Sequence, residues 1–192
     1  MSKEQKLTAF ILKKQAFNEA DEIITFFSKE QGKVRALAKS VKLAKSKLQA
    51  KLQNLFLVNV NLAGSHSLPK VTAAEPIEVF FNLRENLETV KLGIYASELV
   101  LKFTGDEEVN EPLFLALKNF LEQLNLAEQK TWDRLLLQFK LAVLDACGVS
   151  YRGQLKTNNQ NLAELNRQVS EFIEYQLERK VKSEKFLAEG ML

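Results

Sequence analysis

The apolar residues of this chain change their spacing near Phe80, and no single kind of secondary structure satisfies both halves. From Leu7 to Val79 they mostly alternate, in short runs separated by turn formers. Alternation sends every second side chain to one face, so these runs are predicted as strands with one buried side. The strongest has Phe56, Val58, Val60 and Leu62 on one face and Asn59 and Asn61 on the other. Similar runs are Leu7 to Lys13, Ile23 to Ser28, Val34 to Lys39 and Val71 to Glu75, which makes five strands. Pro76 has no amide donor and is expected to end pairing in the last of them. Gln31-Gly32 supplies a turn between the second and third, and Gly64 through Pro69 one between the fourth and fifth.

Ser40 to Leu52 interrupts the strands. Val41, Ala44, Leu48 and Leu52 fall there at helical spacing with Lys42, Lys47 and Lys51 off that line, which fits a short amphipathic helix or a mobile basic loop. Five strands with an insertion after the third is the order of an OB barrel, a small barrel often used to hold single-stranded nucleic acid.

Beyond Phe81 the period becomes 3.6, and Gly and Pro become sparse. Leu87, Val90, Ile94 and Leu101 mark one helix, and Leu113, Leu117, Phe120 and Leu124 a second. Leu162, Leu165, Val169, Phe172 and Leu177 mark a long final one. Leu135 to Cys147 is apolar almost all round, as in a helix at the centre of a bundle. Gly105-Asp106 and Gly148 are expected stops, and Val149 to Asn161 reads as a loop. The expected class is therefore α+β, with an OB domain over 1–80 and an all-α domain over 81–192.

Composition narrows the chemistry. With one cysteine, Cys147, and one histidine, His66, the chain builds neither a disulfide framework nor a cysteine zinc site, and a reducing compartment is expected. The apolar run Leu7 to Leu12 is too short for a secretory signal, and Leu52 to Pro69 carries too many amides to span a membrane. His66 reads as a surface turn residue and Cys147 as a small buried hydrophobe. Trp132 is expected to pack at a helix start with Thr131 as the cap. Asp21-Glu22 and Glu107-Glu108 are acidic neighbours, but metal-dependent nuclease chemistry needs a convergent cluster. No catalytic residue, cofactor or metal is assigned.

Charge divides at the same place as period. Residues 1–80 hold 13 basic and 7 acidic side chains, and residues 81–192 hold 14 and 17, so a total of +3 conceals +6 and −3. No Asp or Glu occurs from Gln31 to Ala74, where Lys33, Arg35, Lys39, Lys42, Lys45, Lys47, Lys51 and Lys70 all lie. A surface kept soluble by charge mixes signs, whereas one-signed charge suits a phosphate backbone, whose condensed counterions each Lys or Arg releases. Lys33, Arg35, Lys39, Lys42, Lys45, Lys47 and Lys51 are the expected nucleic-acid contacts. Acidic lipid headgroups fit the charge, but no bulky apolar face is expected beside these lysines to enter a membrane. Phe10, Phe26, Phe27 and Phe56 are expected to fill the barrel. Phe17, in the first loop, is the candidate for base stacking.

The order of several short segments resembles the RecO family of bacterial recombination mediators. These are Leu7 to Leu12, Asn18-Glu19-Ala20-Asp21, Ile23 to Phe27 and Gly32-Lys33-Val34-Arg35-Ala36. Then come Lys45-Ser46-Lys47-Leu48, Leu52-Gln53-Asn54-Leu55-Phe56, Glu75-Pro76-Ile77-Glu78-Val79-Phe80 and Lys180 to Leu187. The resemblance implies an OB domain, a helical domain and a non-enzymatic role in DNA repair at the nucleoid of the cytoplasm. It implies binding of single- and double-stranded DNA, annealing of strands coated by single-strand-binding protein, and loading of RecA together with RecR. The acidic tail of that coat protein would need a basic group beside an apolar groove, for which Lys118, Arg134 and Lys140 are candidates by residue type. Many members carry a four-cysteine zinc module where this chain has Val149 to Asn161, and Asn54 stands where Pro is usual. An RNA-binding module tied to translation and a protein-binding scaffold are the other readings the residues allow.

Overall fold

In the computed structural model, which describes residues 4–64, 68–151 and 162–188, the alternating half of the chain is a closed five-stranded barrel. The strands are β1 (Glu4–Ala16), β2 (Glu22–Ser28), β3 (Gly32–Ala38), β4 (Leu57–Ala63) and β5 (Lys70–Glu78), in the order β1-β2-β3-β5-β4. β1 is long because it serves two neighbours. Its residues Glu4 to Phe10 pair with β4, and Ala9 to Ala16 pair with β2 across a register shift between Ile11 and Lys13. Closure comes from the parallel meeting of β3 and β5 at Leu37 and Lys70, where the Leu37 N–H donates to the Pro69 carbonyl at 2.8 Å. This order is that of the OB fold.

Period 2 fills the interior. Leu7, Ala9 and Ile11 of β1, Ile24 and Phe26 of β2, Val34, Ala36 and Ala38 of β3, and Val58, Val60 and Leu62 of β4 form one buried cluster with Phe56. Phe10 and Phe27 depart from expectation. They are register partners with no exposed surface, but alternation turns them away from that cluster. Pairing also runs past Pro76 to Glu78, because an irregularity between Leu57 and Val58 accommodates the missing donor.

The other half forms helices α1 (Phe81–Glu85), α2 (Leu87–Phe103), α3 (Glu111–Leu126), α4 (Trp132–Ala146), α5 (Leu162–Leu177) and α6 (Glu184–Ala188). α4 packs against α2, α3 and α5, as its apolar circumference predicts. It ends where Gly148 takes a left-handed φ of 72° and the Val149 N–H returns to the Leu144 carbonyl at 2.8 Å. α3 buries Leu113, Leu117, Phe120 and Leu124 as expected. α2 does not follow the expected stripe: Leu87 and Ile94 are exposed, and the core side is Leu92, Tyr95, Ala96 and Leu99. Thr131 precedes α4, but its hydroxyl donates to the Glu128 carbonyl at 2.7 Å instead of capping. Cys147 is half-buried just beyond α4, not within it. Glu98 of α2 accepts the Lys182 and Ser183 N–H groups at 2.9 and 2.7 Å and so holds the entry to α6.

By packing, the chain has two compact units, and the division differs from a cut after residue 80. Thr104–Asn110, between α2 and α3, belongs to the barrel unit. His66 and most of the expected loop from Val149 to Asn161 lie outside the described residues.

Candidate nucleic-acid interface

β3 divides its side chains as alternation requires: Val34, Ala36 and Ala38 enter the core, and Lys33, Arg35 and the following Lys39 point outward. The outward row is not uniformly free. The Lys33 ammonium donates to the Thr104 carbonyl at 2.5 Å and lies 3.5 Å from the Asp106 carboxylate, while Arg35 lies 3.8 Å from Asp106. The 104–110 strap is fixed there by the Glu107 N–H donating to the Lys33 carbonyl at 2.9 Å. Gly32 permits the approach, since with φ at 66° a Cβ on it would stand 1.9 Å from the Glu108 carbonyl oxygen. At the far end of the basic stretch, Lys51 is paired with Glu75 at 2.5 Å.

Four of the expected contacts remain open to solvent. Lys39, Lys42, Lys45 and Lys47 are exposed, and none forms an ion pair among the described residues, although Lys39 is near enough to Asp21 to help lower its pKa. They belong to a chain of turns over 39–51 that contains no regular helix. Val41 and Leu52 are fully buried, Leu48 packs against the barrel core, and Ala44 is exposed, so the helical stripe is not realised. Buried anchors at both ends leave the lysines between them on the outside.

Asp21 and Asn18 hold the near end of this segment. The Asp21 carboxylate accepts the Ser40 N–H at 2.7 Å, and the Ala20 carbonyl accepts the Lys42 N–H at 3.0 Å. The Ser40 N–H and the Asn18 amide together keep the Asp21 carboxyl below its ordinary 3.8. Phe17, in the same turn, and Leu43, between the lysines, are both more than half exposed. Apolar side chains therefore do accompany the basic segment, contrary to expectation. Lys70, exposed at the start of β5 beside Leu37, extends the patch and was legible in the acid-free stretch.

The acidic neighbours have structural partners. Glu22 pairs with Lys14 at 3.2 Å, and Glu108 accepts the Gly105 N–H at 3.0 Å. Among the described residues no group of three His, Cys, Asp or Glu side chains converges on a metal position. No helix among them is long and apolar enough to cross a membrane.

Of the basic residues considered for a partner in the helical unit, Lys140 is excluded from any surface. It is 2% exposed, and its ammonium donates to Ser170 Oγ at 2.7 Å and to the Asn166 carbonyl at 3.2 Å, both on α5. The ammonium also lies 5.3 Å from the centre of the Tyr95 ring. Burial lowers its pKa to about 8. Arg134 is exposed, and Lys118 pairs with Glu122 at 2.9 Å.

Residues 1–80 match the family model described as recombination protein O N terminal, and residues 84–152 match recombination protein O C terminal. The chain belongs to the RecO family. A DNA repair protein RecO of Dehalococcoides mccartyi strain CBDB1 is 31% identical over 79% of this chain and 58% of its own length. One from Alkaliphilus metalliredigens is 31% identical over 75% of this chain and 58% of its own. One from Trichodesmium erythraeum is 33% identical over 72% and 49%. The chain thus spans about half the length of these RecO relatives.

Proposed function

We propose that this chain acts in DNA repair as a nucleic-acid-binding RecO-family protein and not as a bond-breaking enzyme. The supporting observation is the run of exposed lysines on the OB barrel, Lys39, Lys42, Lys45 and Lys47, none of which forms an ion pair among the described residues. Each ammonium neutralises a phosphate and releases condensed counterions, so binding is backbone-directed, salt-dependent and tolerant of sequence. Two complementary strands held on such a surface repel each other less, and Watson-Crick pairing supplies the specificity. In this reading the protein anneals strands coated by single-strand-binding protein and, with RecR, helps load RecA. The helical unit offers exposed Arg134 and half-buried Lys118 as contacts for the acidic tail of the coat protein.

The test is binding and annealing by the wild type and by the variant carrying Lys39→Glu, Lys42→Glu, Lys45→Glu and Lys47→Glu. Four phosphate contacts give a slope of about −3 for log affinity against log salt on single-stranded DNA. The variant is expected to lose that slope and the annealing of coated strands together. Retention of both at low salt would overturn the assignment. Preference for RNA of matched length would favour a translation-linked module, and absence of any nucleic-acid binding would favour a protein scaffold.

A further inference from the structure

We infer that Phe17 is a stacking platform for an unpaired nucleobase, which makes the basic patch selective for single strands over duplex; this rests on the DNA-binding reading above. Phe17 opens the turn between β1 and β2 and is 56% exposed, whereas Phe10, Phe26, Phe27 and Phe56 of the same unit are all buried. The turn beneath the ring is fixed by its own hydrogen bonds. The Phe17 N–H donates to the Asp21 carbonyl at 3.1 Å, and Asn18 Oδ1 accepts the Ala20 and Asp21 N–H groups at 3.1 and 2.7 Å.

That turn is also joined to the lysine segment. Asp21 holds Ser40, Ala20 holds the Lys42 backbone, and the Lys42 ammonium reaches the Asn18 carbonyl at 3.4 Å. The ring therefore stands one residue from a carbonyl on which a phosphate-seeking ammonium rests. A charged backbone beside an apolar π-face is the combination that a single strand presents. In a duplex each base face is covered by its neighbours, so the ring has no partner there. Because the turn is already ordered, little conformational entropy is lost when a base arrives. A protein partner for Phe17 would have to be basic-tolerant and acidic, and a membrane would need more apolar surface than Phe17 and Leu43 provide.

The experiment measures binding of a labelled oligothymidylate, an abasic strand of equal length and a duplex to wild type, Phe17→Ala and Phe17→Trp. An exposed position leaves the melting temperature unchanged in both variants, so affinity reads the ring alone. Phe17→Ala is expected to weaken oligothymidylate binding about tenfold while sparing the abasic strand and the duplex, and Phe17→Trp is expected to restore it. Equal affinity of wild type and Phe17→Ala for oligothymidylate overturns the inference and leaves the lysine reading intact. So does equal loss on normal and abasic strands. Failure of the wild type to bind any of the three polymers overturns the underlying reading as well.

Discussion

Lys45 of the barrel unit and Lys140 of the helical unit are the same residue in opposite circumstances. Lys45 is exposed with no carboxylate partner among the described residues, so its charge is available to a ligand. Lys140 is 2% exposed and its donors are committed to Asn166 and Ser170 of α5, so its charge is part of the core. Residue type alone does not separate a phosphate contact from an internal fastener. Burial and the presence of acceptors do.

Replacement of each lysine by alanine gives the largest expected contrast. Lys140→Ala leaves a cavity and strands the Asn166 and Ser170 acceptors, and should lower stability by about 3 kcal/mol in chemical denaturation. Lys45→Ala should change it by no more than about 0.5 kcal/mol. Similar losses at the two positions would erase the distinction.

The pH dependence of the helical unit sharpens it next. Burial lowers Lys140 to about 8 from the ordinary 10.5, against the opposing pull of Glu184 and Asp133. Between these values the unfolded chain holds a proton that the folded chain has released. Stability from this group therefore rises with pH across that window, and below it the buried charge is a cost. Relative to Lys140→Met, the wild type should gain about 2 kcal/mol between about pH 7.5 and about pH 10. Parallel pH curves for the two proteins would refute it.

Two further effects probe the barrel. Gly32→Ala adds a Cβ against the Glu108 backbone at a left-handed position, and should cost about 2 kcal/mol in thermal unfolding. An unchanged melting temperature would mean that the strap does not need this approach. Asp106→Asn removes the carboxylate 3.5 Å from Lys33 and 3.8 Å from Arg35, and should raise affinity for single-stranded DNA about threefold at low salt. Unchanged affinity would mean that Lys33 and Arg35 lie off the nucleic-acid path.

The barrel was largely legible because alternation is a local signal: each strand carried its own inward set, as Val58, Val60 and Leu62 show. The face of α2 was not, since Leu, Val and Ile occur on more than one side of it and spacing could not choose between Leu87 and Leu92. The acid-free stretch located the basic surface. It could not tell which lysines were engaged, because Asp106 meets Lys33 across 73 positions and Glu75 meets Lys51 across 24. Lys140 was misread for the same reason. Its acceptors lie on α5, far along the chain, and nothing near it in sequence announces them.

The strap has a consequence in time. Translation delivers β1 to β5 first, then α1 and α2, and only afterwards Thr104 to Asn110. A nascent barrel consequently spends the interval with Lys33 lacking its carbonyl acceptor and with the hollow above Gly32 unfilled. Domains ordinarily mature in the order they are synthesised. Here the earlier-made unit is finished by a piece of chain that arrives after the later one has begun.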